Sequence, residues 1–306
     1  MHYRSAFGLT TLVHTKYFKT GGNTMNIQII TDSSSDLVNP ERGDITVLPM
    51  KINFDDAEYL DGVNLTHKEF YEKLIECDTL PVTSQIPPYD FEEAIRKVAD
   101  AGDCAIIITL SSKLSGTYQS ACIAASEFEG KAFVVDSENA TVGERALVEY
   151  ALRLKDSGMD AASIVETLEK EKKKIRLIAL LDTLEYLKKG GRISKAVAFA
   201  GNVLSIKPVV GVVDGEVVML GKARGSRQGN NLLAEHIKSS GGIDFSKPYF
   251  LGYTGLNDTL MQKYIADSET FWKDHTDNLP VATVGGTIGT HVGPGGIAVA
   301  YFAASE

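Results

Sequence analysis

CAIIITLSSKLSGTYQSA, residues Cys104–Ala121, is the stretch on which the reading of the fold turns. Its first part, Cys104–Leu110, is a continuous apolar run with three isoleucines, the pattern of a strand buried on both faces. The part from Leu110 to Ala121 carries six hydroxyl groups, one glycine and one lysine. A helix is expected from about Ser115. A buried strand, a polar turn and a helix in succession make half of a β-α-β unit.

The same rhythm extends on both sides. IQIITDSSSDL (Ile27–Leu37) reads as a short buried strand ending in a polar turn, and Val47–Phe54 as a second strand. HKEFYEKLIE (His67–Glu76) places Phe70, Tyr71, Leu74 and Ile75 at helical spacing. After TLPVTSQIPP a second helix has Tyr89, Phe91, Ala94, Ile95 and Val98 on its apolar side. Ala132–Ser137 is a further strand, and two helices follow to about Lys173. Strands alternating with helices predict an N-terminal α/β domain with a parallel sheet, residues 25–174.

From 175 the pattern changes. Ile175–Thr183 reads as a strand. LEYLKKGGRISKAVAFAGNVL (Leu184–Leu204) reads as two helices broken by glycines. Asp214-Gly215 lies between two β-branched runs, a strong hairpin signal. A helix is expected near Asn231–Ser239, a strand over Pro248–Gly255 and a helix near Thr259–Ala266. Strands at VATVGG and GIAVAYF complete a C-terminal α+β domain, residues 175–306, with a mixed or antiparallel sheet. The boundary falls near Lys174, after an EKEKKK run that suits a solvated helix end. Residues 1–24 lack the apolar core of a signal peptide and read as an extraneous or flexible N-terminal extension, with Met25 as the natural start.

Composition narrows the function. The chain has 306 residues, 43% hydrophobic and 23% charged, as in a globular protein. A net charge of −9 provides no basic excess for nucleic acid and argues for at most transient membrane contact. Cys77, Cys104 and Cys122 are scattered, odd in number and fit neither a disulfide framework nor a zinc site, so a cytoplasmic setting is expected. The six histidines form no metal-like pair. There is no GxxxxGK[ST], no GxGxxG after the first strand, no GxSxG and no SxxK.

Three hydroxyl-rich clusters lie at strand ends or helix starts: DSSSD (Asp32–Asp36), TSQIPPYD (Thr83–Asp90) and SSKLSGT (Ser111–Thr117). In an open α/β sheet, ligands bind beyond the carboxyl ends of the strands, where helix N-termini favour an anion. Ser, Thr and Asp are also the preferred N-caps. Capping or turn formation accounts for Asp90 and for Ser33 or Ser34. For Thr83 and Ser115 both readings stand, and Gly116 beside Ser115 allows close backbone approach. His291, in GGTIGTHVGPGG, is read as part of a tight glycine loop between two strands, with a functional role ahead of a turn histidine bonded to backbone. Arg192 at an expected helix start invites an anion partner, with a plain surface arginine as the other reading. A Ser115 nucleophile with His291 as base, a serine-dependent hydrolase, is the enzymatic alternative and needs the two within hydrogen-bond reach.

Taken together, TDSSSDL, Thr83–Gln85, LSGTYQSA, Gly190–Ser194, IKPVV (Ile206–Val210) and THVGPGG, in this order, resemble the DegV family of bacterial fatty-acid-binding proteins. The resemblance runs from about Ile27 to the C-terminus. It departs from the family pattern at the second proline after TSQ and in GKARGSRQG (Gly221–Gly229). It implies a long-chain fatty acid held between two domains, with its carboxylate at Thr83 and Ser115. Ser84, Gly116, Arg192, His291 and Arg224 are then supporting carboxylate or kinase contacts. It also implies a partner, an ATP-dependent fatty acid kinase, for which this chain is the acyl carrier and not the catalyst, with no cofactor of its own. The residues agree: a buried carboxylate needs several donors, and the apolar Ala196–Leu204 suits a cavity wall. Each buried CH₂ contributes roughly 0.8 kcal/mol, so a tail of about fourteen contributes on the order of 11 kcal/mol before binding costs. A neutral hydrogen bond nets about 0.5–1.5 kcal/mol, so the tail sets affinity and the hydroxyls set where the head lies.

Overall fold

The computed structural model describes residues 25–38, 40–193 and 206–304. The expected strand at Cys104 is the centre of the first sheet. Its order is β2-β1-β6-β7, all parallel, where β1 is Ile27–Asp32, β2 Ile45–Leu48, β6 Cys104–Thr109 and β7 Ala132–Asp136. All six residues of β6 are buried because helices cover both faces. Alternation divides them. Ala105 and Ile107 join Ile30, Phe91 and Ala121 under α2 (Pro88–Asp100) and α3 (Thr117–Ala125). Ile106 and Ile108 join Ile29 under α4 (Thr141–Asp156) and α5 (Ala161–Glu171).

The expected strand Val47–Phe54 is in fact two. Pro49 and Met50 interrupt it, since proline cannot continue a ladder as donor. β2 stays in the parallel sheet, while β3 (Lys51–Phe54) leaves it for a small antiparallel sheet, β4-β3-β5. Its partners, β4 (Ala57–Leu60) and β5 (Val82–Ser84), carry no apolar alternation and were not anticipated. The helix α1 (His67–Glu76) covers this sheet with Phe70, Tyr71 and Leu74, and a Thr66–Glu69 capping box starts it. Ile75, expected on its apolar side, is exposed.

The second sheet is mixed, in order β10-β9-β8-β13-β11-β12. Here β8 is Ile175–Leu180, β9 Ile206–Val213, β10 Glu216–Arg224, β11 Phe250–Tyr253, β12 Val281–Thr283 and β13 Ile297–Phe302. Only β11 and β12 pair in parallel. The Asp214-Gly215 hairpin is present, both residues at positive φ (50° and 82°), as a two-residue turn between right-twisted strands requires. One face packs under α7 (Gly225–Ser239), α8 (Thr259–Asp267) and α9 (Glu269–Trp272). The other packs against α4, so this helix lies between the two sheets and its Val142 and Ala146 share a core with Leu177, Ala298 and Ala300. The α/β class with a parallel N-terminal and a mixed C-terminal sheet is as expected.

Two expectations near the site need correction. His291 is not in a loop but in a short helix, α10 (Gly286–Val292), which ends at Gly293 (φ 72°). The helix expected around Asn231 starts six residues earlier, at Gly225. Of the expected helix pair at Leu184–Leu204, α6 (Glu185–Lys189) is formed; Ala196–Leu204 and residues 1–24 lie outside the described residues. Among the described residues no helix is long and apolar enough to cross a membrane.

Candidate functional site

A largely apolar cavity lies between the C-terminal sheet and the strand ends of the N-terminal half. It encloses about 980 Å³ of atom-free space, its mouth included. Its floor follows from strand register. Val210, Ala179, Ala298 and Gly252 are direct neighbours across β9, β8, β13 and β11, and all four line the cavity. Small side chains in a row across four strands leave a trough at right angles to them. Three spacings of about 4.8 Å make it roughly 14 Å long. Leu177, Leu181, Leu187, Ile288, Ile297 and Val292 add apolar walls.

Most hydroxyls on this surface are already bonded. Thr254 Oγ1 accepts from Gly296 N (2.7 Å), Thr141 donates to Asp36 (2.5 Å) and Thr287 donates to Asp61 (2.5 Å). Among the described residues the remaining two are Thr83 and Ser115, whose neighbours Gln85 and Gly116 are in contact. Thr83 Oγ1 lies 3.0 Å from His291 Nε2, and Ser115 Oγ pairs with Thr117 Oγ1 (2.9 Å) and accepts from Thr117 N (3.3 Å). Their hydrogen-bonding partners are one hydroxyl, one ring nitrogen and one amide, which leaves capacity for an anionic guest.

Thr83 is therefore not at a helix start, as its sequence context implied, but in β5. Thr83 lines the cavity from β5 and Gln85 from the residue just past the strand, while Ser84 is exposed and does not line it. The following helix α2 starts with Pro87 at its N-cap and no side-chain cap; Asp90 is in its first turn. Ser115 does precede α3, whose N-cap position is Gly116. The close approach at Gly116 is to Gln85: an added Cβ would lie 2.0 Å from Gln85 Oε1. Gln85 Nε2 donates to Ser120 Oγ (3.0 Å), which ties β5 to α3.

Arg192 lines the mouth, its Nε donating to Leu114 O (3.2 Å) and a terminal nitrogen to Gly190 O (2.7 Å). It thereby bridges the C-terminal half to the loop that carries Ser115. Burial, and secondarily the nearby Arg192 charge, pushes His291 down to about 4, so its imidazole is neutral near pH 7. His291 Nδ1 is buried without a partner among the described residues and packs on Gly190, where an added Cβ would lie 2.3 Å away. Arg224 is exposed at the N-cap of α7, its N–H bonded to Gln228 Oε1 (2.7 Å), and does not line the cavity. His291 is bonded to Thr83 rather than Ser115 and is a weak base at this pKa, so the geometry does not favour the hydrolase alternative. Among the described residues no group of His, Cys, Asp and Glu could hold a metal.

Sequence reasoning overlooked Gln85 as a lining residue and the row Ala179–Ala298–Gly252. The row had a faint signal, alanine alternating with larger residues in IALL and IAVAYF.

A family model described as an uncharacterised protein of the DegV family matches residues 26–304. A DegV domain-containing protein of Caldanaerobacter subterraneus is 34% identical over 275 residues, 88% of this chain and 95% of its own. One from Deinococcus radiodurans is 33% identical over 283 residues, 90% of this chain and 98% of its own. Among solved structures, a DegV family protein from Thermus thermophilus, described by its fatty acid binding, is similar with a TM-score of 0.82 and 31% identity. The match covers 91% of this chain and all of that one. The fatty acid binding DegV family protein of Streptococcus agalactiae has a TM-score of 0.79 and 27% identity, over 92% and 99% of the two chains.

Proposed function

The chain belongs to the DegV family, and from that premise we propose that it binds a long-chain fatty acid in the interdomain cavity. The observation that carries the reading is the make-up of the cavity: an apolar trough that also presents two incompletely used hydroxyls, Thr83 and Ser115. The acyl tail lies along the trough and the carboxylate accepts from both hydroxyls. His291 then acts through Thr83. If Nε2–H donates to Thr83 Oγ1, the Thr83 proton is free for the carboxylate. Arg192 supplies positive charge at the mouth.

The finer reading is that of a carrier. A partner ATP-dependent fatty acid kinase phosphorylates the presented carboxyl group: a carboxylate oxygen bonds to the γ-phosphorus and ADP leaves. Ser84 and Arg224, both exposed and off the cavity, are then contacts for that partner, and Gly116 supports the site by admitting Gln85. The two units divide near Lys174, and the chain itself performs no catalysis.

Mass spectrometry of an organic extract of the purified, denatured protein tests the binding step. Stoichiometric fatty acid is expected, and the spectrum identifies the acyl chain. An empty extract, with no uptake of added palmitate or oleate, overturns the proposal.

A further inference from the structure

The helix α10 places Ile288, His291 and Val292 on the cavity, yet little in its own sequence makes it a helix. It has seven residues, of which two are glycine and four β-branched, well below the length at which a helix persists alone. Its N-cap residue is Gly285, which has no side chain to accept from the first amides.

Those amides are taken by carboxylates from the other half of the chain. Asp61, directly after β4, accepts from Gly286 N at Oδ1 (3.0 Å) and from Thr287 N at Oδ2 (3.0 Å). It also accepts from Thr287 Oγ1 (2.5 Å) and Ser33 Oγ (3.2 Å). Asp36 accepts from Gly285 N (2.7 Å). Both side chains are buried, and carboxylates at this helix end match its dipole. The glycines of α10 complete the dock. A Cβ at Gly286 would lie 2.5 Å from Ile52 Cδ1, and one at Gly289 would lie 2.5 Å from Phe70 Cε1.

We propose that Asp61 is a positioning residue for the lipid site: in concert with Asp36 it caps α10 from across the domain seam and so fixes His291 against Thr83. The inference rests on the fatty-acid reading for its consequence, not for its geometry. Loss of the cap leaves α10 helical for only part of the time, and ligand affinity falls with the fraction that is formed.

The test is Asp61→Asn, which keeps the shape but turns an N–H₂ group toward one of the two amides. Three results are expected. Amide exchange at Gly286 and Thr287 speeds up about tenfold, and palmitate Kd rises about five- to tenfold, the usual scale of a lost cap. The His291 titration, followed by NMR, moves up from about 4 toward the ordinary range. The loss is smaller for methyl palmitate, which has no carboxylate to place. Wild-type exchange, His291 titration and palmitate affinity in the variant overturn the proposal. Should the variant not fold, the coupling is read in the wild-type protein, where palmitate must slow exchange at Gly286 and Thr287. Unchanged exchange there overturns it too. Wild-type protein that takes up no palmitate overturns the fatty-acid reading instead, and is seen before any variant is made.

Discussion

DSSSD at Asp32–Asp36 and SSKLSGT at Ser111–Thr117 look alike in sequence: each is a hydroxyl cluster after a central parallel strand. In the fold they do opposite things. In the first, Ser33 donates to Asp61, Ser35 donates to Asp32 O, and Ser34 Oγ lies between Asp32 Oδ1 (2.5 Å) and Glu144 Oε2 (2.8 Å). One hydroxyl proton cannot serve two carboxylates, so one of the pair is protonated. Burial pushes Glu144 well above the usual carboxylate range and raises Asp32 as well. In the second cluster the Ser111 hydroxyl is bonded to Gly215 O (2.8 Å), but among the described residues the Ser115 hydroxyl bonds only to Thr117. A saturated cluster fixes the fold, and an unsaturated one faces a cavity. Hydroxyl density signals neither by itself.

The largest effect belongs to the saturated cluster. Asp32 accepts from Leu110 N (2.9 Å) and Ser34 N (3.0 Å) as well as from the Ser34 hydroxyl. Asp32→Ala leaves buried donors without partners, and we expect a loss of about 3 kcal/mol or more in urea unfolding. A loss under about 1 kcal/mol would erase the contrast with Ser115→Ala, expected to cost no more than that.

The pH dependence of stability sharpens the same contrast. Burial raises Asp36 to about 7, against the bonds it accepts from Thr141 and Gly285 and with Asp61 and Arg145 nearby. The unfolded chain releases this proton near pH 4, the native state near 7. The native state therefore holds more protons between these values, and stability falls as pH rises from about 4 to about 7. Asp32, raised to about 6, acts in the same direction. His291, lowered to about 4, acts oppositely, with stability lost as pH falls from about 6.5 to 4. Glu144, which burial also raises well above the usual carboxylate range, adds to the same descent, so Asp36→Asn should lessen the descending part without abolishing it, as read from urea midpoints at pH 5 and 8. Parallel curves for the two proteins would mean that Asp36 is ionised throughout.

In the cavity the tail comes before the head. Ala298→Leu places three more carbons in the trough between Ala179 and Gly252. Overpacking costs about 1–3 kcal/mol, which the fold should survive, while co-purified lipid is expected to fall more than tenfold in the extract. Undiminished lipid would place the tail elsewhere.

What was legible in the sequence followed from short-range rules. The run at Cys104–Leu110 identified a strand covered on both faces, and Asp214-Gly215 marked its hairpin. Thr83, Ser115, Arg192 and His291 were singled out, and the fold brings all four to one cavity. Their local settings were misread where tertiary pairing decides them. Thr83 extends because β3 pairs with it, and His291 is helical because Asp36 and Asp61 cap α10. Asp61 itself had no signal, since a single Asp before Gly62 reads as a turn and its partners are 225 and 226 residues away.

The last prediction separates the two functions proposed for the head site. In Thr83→Ala with Ser115→Ala the trough is intact, so most of the binding energy remains. Each lost hydroxyl contact is worth about 1 kcal/mol, or roughly thirtyfold in palmitate affinity for the pair. Lipid should still co-purify. The carboxylate, however, no longer has a fixed position, and phosphoryl transfer needs its oxygen in line with the γ-phosphate. Acyl phosphate formation by an added fatty acid kinase should therefore fall far more than binding does. Equal losses in both measurements would mean that the hydroxyls only hold the ligand. Wild-type turnover would remove them from the head site altogether and return Thr83 and Ser115 to the class of DSSSD, hydroxyls that serve the fold.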